Sequence, residues 1–333
     1  MSLGYLVLGV LLLVIATVDI LWTTLWIEGG AGPLTSRLMD GTWRTLRRLT
    51  DGNSYLLSLA GPFILVNSLG VWIALLWTGW TFVFAGSATS LINTTTGSSV
   101  SWLDQLYFTG YAMFTLGNGG FAPNGGIWQI VTVLVTANGM LFVTLSVTYV
   151  LSVLGAVTQK RSFAIGVTGL GTRGGEVIRA AWNGQEFEEL PLLLNTHITE
   201  LNRLTSNHKA YPILHYFHSA RSDAAAITSI AVLDDALTIL HVGIPDQHQP
   251  SNIILESGRS SIESYLKTLH GSFVDPEGRT PPPLSLDSVR NAGIPTVSES
   301  EFETALDDLK MRRRTLLELV ESDERQWPTD PPS

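Results

Sequence analysis

The sequence predicts an all-α membrane protein: three transmembrane helices, a re-entrant helix and loop between the second and third, and a mostly helical polar tail. Three observations carry this. Of 333 residues, 45% are hydrophobic and 15% charged, against about 25% charged in ordinary soluble domains. The apolar residues concentrate before residue 157 in three long runs, each near the ~20 residues needed to cross a bilayer. Between the second and third runs lies a helix-length segment broken by glycines. Three segments follow: 1–54, an N-terminal transmembrane helix with an amphipathic helix; 55–156, the helix–loop–helix module; and 157–333, the tail. Cysteine is absent, which excludes disulfides and thiolate metal sites. The net charge of −9 lies almost wholly after residue 156, with 16 basic and 24 acidic residues against 4 and 5 before it. An acidic tail argues against nucleic acid as a partner.

Residues 3–27 exceed a signal-peptide core, lack a basic start and show no small-residue cleavage pattern, so they read as a retained transmembrane helix. Asp19 lies inside it. An intramembrane carboxylate is a functional candidate, although its place toward the later end, near Glu28, also suits interfacial water or pairing with an arginine. Residues 28–54 hold Arg37, Arg44, Arg47 and Arg48 among Leu38, Trp43, Leu46 and Leu49. This predicts an amphipathic helix resting on the membrane surface, cytoplasmic by the positive-inside rule.

Residues 55–84 form the second run. Pro62 and Asn67 predict a kink, and Trp72, Trp77 and Trp80 an aromatic belt. Residues 85–100 are Gly/Ser/Thr-rich and uncharged, as suits an external loop. Leu103, Leu106, Tyr107, Tyr111 and Phe114 then recur at helical spacing with Asp104 in the first turn. At about three turns this helix is too short to span. Thr115-Leu116-Gly117-Asn118-Gly119-Gly120 breaks it, because glycine admits backbone conformations denied to other residues. Such backbone is tolerated at membrane depth only where protein or water satisfies its polar groups. With alternate glycines, carbonyls can point to one side and replace an ion's hydration shell.

From Asp104 to Pro123 the chain resembles the pore-loop family of tetrameric potassium channels, through the T-x-G-x-G core at Thr115, Gly117 and Gly119. The resemblance implies a homotetrameric, non-enzymatic cation channel in the cell membrane. Its ion-binding filter would comprise Thr115, Leu116, Gly117, Asn118 and Gly119. No cofactor is implied beyond the permeant ion, potassium or sodium. The pattern departs from T-V-G-Y-G-D: Asn118 replaces the aromatic and Gly120 the acid. A related non-selective type also carries a small polar residue at the aromatic position, so a non-selective monovalent cation channel is the alternative.

The third helix, about 127–156, ends before Lys160 and Arg161. Charge bias and loop geometry together put the filter outside, the tail in the cytoplasm and the N-terminus outside. Gly139 sits mid-helix where inner helices of the family bend. It is a hinge candidate, with close helix packing as the other reading. Its neighbour Asn138 is a cavity candidate, since an amide does not readily face lipid.

In the tail, Gly169-Leu170-Gly171-Thr172-Arg173-Gly174 matches G-x-G-x-x-G, which keeps a membrane-anchored nucleotide-binding enzyme as a remote alternative. The alternating strands and helices of a dinucleotide fold do not follow it. Helical patterns recur at 187–205, 211–218, 222–242 and 259–270. His215 and His218 sit one turn apart without a third metal ligand. Residues 271–297 read as a loop. A final helix starts at a capping box, Ser298 with Glu301, and carries an apolar stripe through Phe302, Leu306, Leu309, Leu316 and Val320. No known sensor domain is recognised here, so the sequence leaves the cytoplasmic regulator unknown.

Overall fold

A computed structural model describes residues 2–50, 53–98, 100–117, 119–273 and 279–328, with side chains left out at 270–273. Two compact units form. One comprises Met1–Arg44, Pro62–Leu154 and Ala210–Ile213; the other comprises Thr45–Gly61, Gly155–Lys209 and Leu214–Ser333.

The first unit is built on α1 (Leu3–Leu25), the start of α2 (Pro33–Thr50), α4 (Ala60–Ala85), α5 (Trp102–Met113) and the first part of α6 (Gly126–Thr168). The short α3 (Ser54–Leu57) precedes α4, so the chain breaks before Pro62 and no mid-helix kink is needed. Pro62 falls in the first turn of α4, where a missing N–H leaves no helical bond unmade. α1 and α4 approach closely: a Cβ on Gly9 would lie 2.7 Å from the Gly79 carbonyl oxygen. Ala16, Ile20, Trp72, Phe84, Phe108 and Phe142 fill the core.

The tryptophans expected as a belt act as internal ties. Trp77 Nε1 donates to the Leu106 carbonyl at 2.8 Å, and Trp72 and Trp80 donate to side chains described below. The loop before α5 forms β1 (Leu91–Asn93), antiparallel to β2 (Phe121–Pro123), with Asn93 opposite Phe121. Strands this short carry no legible periodicity. Helix α5 starts at a capping box of Ser101 and Asp104.

The second unit packs α7 (Gly174–Ala181), α8 (Leu190–Ala210), α10 (Asn252–Phe273), α11 (Asp287–Asn291), α12 (Glu299–Asp307) and α13 (Lys310–Ser322) around α9 (Ala226–Thr238). Every residue of α9 except Thr228 is buried. The capping box at Ser298 and Glu301 starts α12, but the chain turns at Asp308 and Leu309 and restarts as α13, so the final apolar stripe is shared by two helices. The 211–218 pattern is a short 3₁₀ turn over Pro212–Tyr216.

Four described helices are long and apolar enough to cross a membrane: Leu3–Leu25, Ser54–Ala85, Gly126–Thr168 and Ala226–Gly243. The fourth is 83% buried inside the protein. Its apolar surface is already covered by the core of the second unit.

That unit also buries His208, which bonds through Nδ1 to the Leu204 carbonyl at 3.1 Å. Burial and then the Lys160 ammonium push the imidazole down to about 3. The unfolded chain takes a proton near pH 6.5 that the folded chain refuses, so stability falls as pH drops through that window. Melting of the detergent-purified chain should weaken by about 2 kcal/mol between pH 7 and pH 5, and His208→Phe should flatten that slope. An unchanged slope in the variant would assign the acid sensitivity elsewhere.

Candidate functional site

The loop after α5 begins as a helix cap. Phe114 is the C-cap, and Thr115 follows with φ 59°. Thr115 N donates to the Ala112 carbonyl at 3.3 Å and Leu116 N to the Tyr111 carbonyl at 2.9 Å. This is the paired bonding of a Schellman cap, whose left-handed position is normally glycine. A β-branched residue there is a genuine outlier, and such strain clusters at working sites. Gly117 is left-handed too, with φ 66°. Leu116 is 73% exposed, and Thr115 and Gly117 are exposed beside it. Asn118 lies outside the described residues. The Gly119 carbonyl accepts from the Thr94 hydroxyl at 2.5 Å, so that oxygen is engaged by the loop before α5.

Behind the loop, α6 grips the end of α5. Thr136 Oγ1 donates to the Ala112 carbonyl at 3.0 Å. Gly139 lies so close that an added Cβ would sit 2.0 Å from the Met113 carbonyl oxygen. Helix α6 runs through Gly139 without a break, and the glycine's absent side chain is what lets the two backbones meet. Its neighbour Asn138 accepts from Trp80 Nε1 at 3.1 Å. The amide is thus half-buried, with its oxygen held from α4.

Asp19 is closed off from interfacial water. It is 1% exposed and reaches the start of α2, accepting from Leu34 N at 2.8 Å and Thr35 N at 3.2 Å. The Thr35 hydroxyl also donates to it, as does Trp72 Nε1 at 3.0 Å. The carboxyl group is an N-cap supplied from another helix, where the helix dipole favours negative charge. With Thr35 beside Trp72 and Thr42 within 3.5 Å of Asn67, α2 begins alongside α4.

The glycine-rich turn at 169–174 is explained by packing. A Cβ on Gly171 would lie 2.6 Å from Glu176 Cβ, and one on Gly174 would lie 2.7 Å from Ala236 N. These glycines let α7 seat on α9, and the strands in the described residues are β1 and β2 alone. His218 is tied to residues at the end of α13. Its Nδ1 faces Asp323 at 3.1 Å and its Nε2 faces Arg325 at 2.9 Å.

The segment that holds α4, α5, the glycine-broken loop and the first part of α6 also decides the family. Residues 70–156 match the family described as ion channel. The chain belongs to the pore-loop ion channel family. Along nearly its whole length it is also 44% identical to an uncharacterized membrane protein, YdjJ, of Bacillus subtilis (strain 168). That match covers 98% of this chain and 96% of the relative. No solved structure matches. The protein is therefore a membrane protein, and α5 with its loop occupies the centre of the matched segment. Neither Thr94 nor Thr136 was a candidate site residue in the sequence. Their roles come from contacts 25 and 24 residues distant.

Proposed function

We propose that four copies of this chain form a cation channel that passes potassium down its gradient through a filter built from Thr115 to Gly119. One loop per chain cannot encircle an ion, and the exposure of Leu116 and of the α6 residues Ile127, Val133, Leu134 and Leu141 supports association with further copies. The observation that carries the reading is the left-handed backbone at Thr115 and again at Gly117, directly beyond the C-terminal end of α5. That end carries partial negative charge and favours a cation, while carbonyls replace its hydration. α1, α4 and the first part of α6 would span the membrane, with α5 re-entrant, the N-terminus outside and the tail in the cytoplasm.

Gly117→Ala tests this. A Cβ in left-handed backbone costs about 1–2 kcal/mol per residue, repeated in each subunit, with no neighbour within 4 Å to confuse the cause. Currents through reconstituted protein should vanish while the chain still assembles. Wild-type currents from the variant would remove the filter assignment. Asn118 and Gly120 favour a second reading, a non-selective monovalent channel. Reversal potentials between potassium and sodium solutions separate the two.

A further inference from the structure

Three consecutive carbonyls, at the last filter residue and just past it, are each held from behind. The Gly119 oxygen accepts from Thr94 Oγ1 at 2.5 Å, the Gly120 oxygen from Thr94 N at 3.2 Å, and the Phe121 oxygen from Tyr111 Oη at 2.7 Å. Thr94 is itself set by a turn, in which Asn93 Oδ1 accepts from Thr95 N and Thr96 N at 3.0 Å each. The β1–β2 ladder fixes the height of that turn. Tyr111 acts twice. Its carbonyl takes Leu116 N at 2.9 Å, at the start of the filter, and its hydroxyl ties Phe121 beyond the end. Its ring is buried against Phe108 and Tyr107, with centroids 5.0 and 5.4 Å away.

We propose that Tyr111 and Thr94 are the positioning residues that set ion discrimination in this channel, doing from the pore helix and the outer loop what a filter aromatic would otherwise do from within. This rests on the channel reading above. A segment pinned at both ends cannot shorten freely around a smaller ion, whichever of cavity size and carbonyl field governs selectivity. The sequence lacks an aromatic at 118, and the ties to Gly120 and Phe121 stand beyond the T-x-G-x-G segment.

The test uses reconstituted full-length protein, with reversal potentials between potassium and sodium solutions and single-channel conductance as readouts. Tyr111→Phe keeps the ring and removes one buried hydroxyl bond. The potassium-to-sodium permeability ratio should fall about three- to tenfold, the range one net hydrogen bond supplies. Thr94→Val should act in the same direction but less, because Thr94 is exposed and water replaces part of the lost bond. Thr94→Ser should restore the wild-type ratio, and Thr95→Val, one residue along the same turn, should leave it unchanged. A role confined to folding would lower the yield of assembled channel and leave the ratio alone. Ratio and conductance both unchanged in Tyr111→Phe and Thr94→Val overturn the proposal, whatever ions the wild type passes. A wild type that conducts nothing overturns the channel reading first.

Discussion

Gly139→Ala should destabilise the assembled protein and abolish its currents. An ideal Cβ at this position lies 2.0 Å from the Met113 carbonyl oxygen, 2.7 Å from Met113 Cγ and 2.8 Å from the Met113 carbonyl carbon. Real Cβ contacts do not approach so far, so α6 or the end of α5 must retreat by roughly 1 Å in a close-packed interior. Overpacking of this kind typically costs about 1–3 kcal/mol per chain. The retreat also pulls Thr136 from the Ala112 carbonyl, and Ala112 and Met113 immediately precede the cap that sets Thr115. The hinge reading predicts the opposite sign. Alanine improves on glycine inside a helix by up to ~1 kcal/mol, so a hinge variant would melt higher and merely gate differently. Melting of the purified assembly, measured beside its currents, separates the two. A variant as stable as wild type or more so would remove the close-approach argument.

The long apolar helices and the capping box at Ser298 were legible because each depends on residues within a few positions of one another. The glycine-broken loop was legible for the same reason. What the sequence left open depended on partners far along the chain. Gly139 allowed both a bend and a close approach until Met113, 26 residues earlier, was seen against it. Trp72, Trp77 and Trp80 suited a membrane interface by type, yet their indole N–H groups have partners on α1, α5 and α6. The turn at Leu309 was invisible because the apolar residues stay in phase across it and no glycine or proline marks it. The G-x-G-x-x-G match failed for the converse reason. Glycine spacing records where a backbone comes close to something, and here the something is Ala236 and Glu176 rather than a phosphate.

Asp19→Ala should cost more than its single carboxyl group suggests. The residue is 1% exposed and so is Trp72. Removal of the acceptor leaves Leu34 N, Thr35 N, the Thr35 hydroxyl and Trp72 Nε1 to find new partners. Thr35 and Trp72 can still bond to each other at 3.1 Å, which offsets part of the loss. Each buried donor left unmade costs about 1–3 kcal/mol, and loss of a helix cap about 0.5–2 kcal/mol. Together these give a destabilisation on the order of 3–5 kcal/mol. Water has little room to substitute, because Gly32 already packs so tightly that a Cβ there would meet Asp19 Oδ1 at 2.3 Å. The start of α2 should loosen, exposing Arg37 and Arg44 to trypsin sooner than in wild type. Asp19→Asn gives the sharper comparison. It keeps one carbonyl oxygen for Leu34 and Thr35 but turns an NH₂ donor toward the Trp72 N–H, so its stability should fall between the other two. A carboxylate that served only as an isolated charge, whether for an arginine or for a permeating ion, would make Asn and Ala equivalent. Equal melting and equal trypsin cleavage in the two variants would show that Asp19 is not the cap of α2, and a graded series would show that it is.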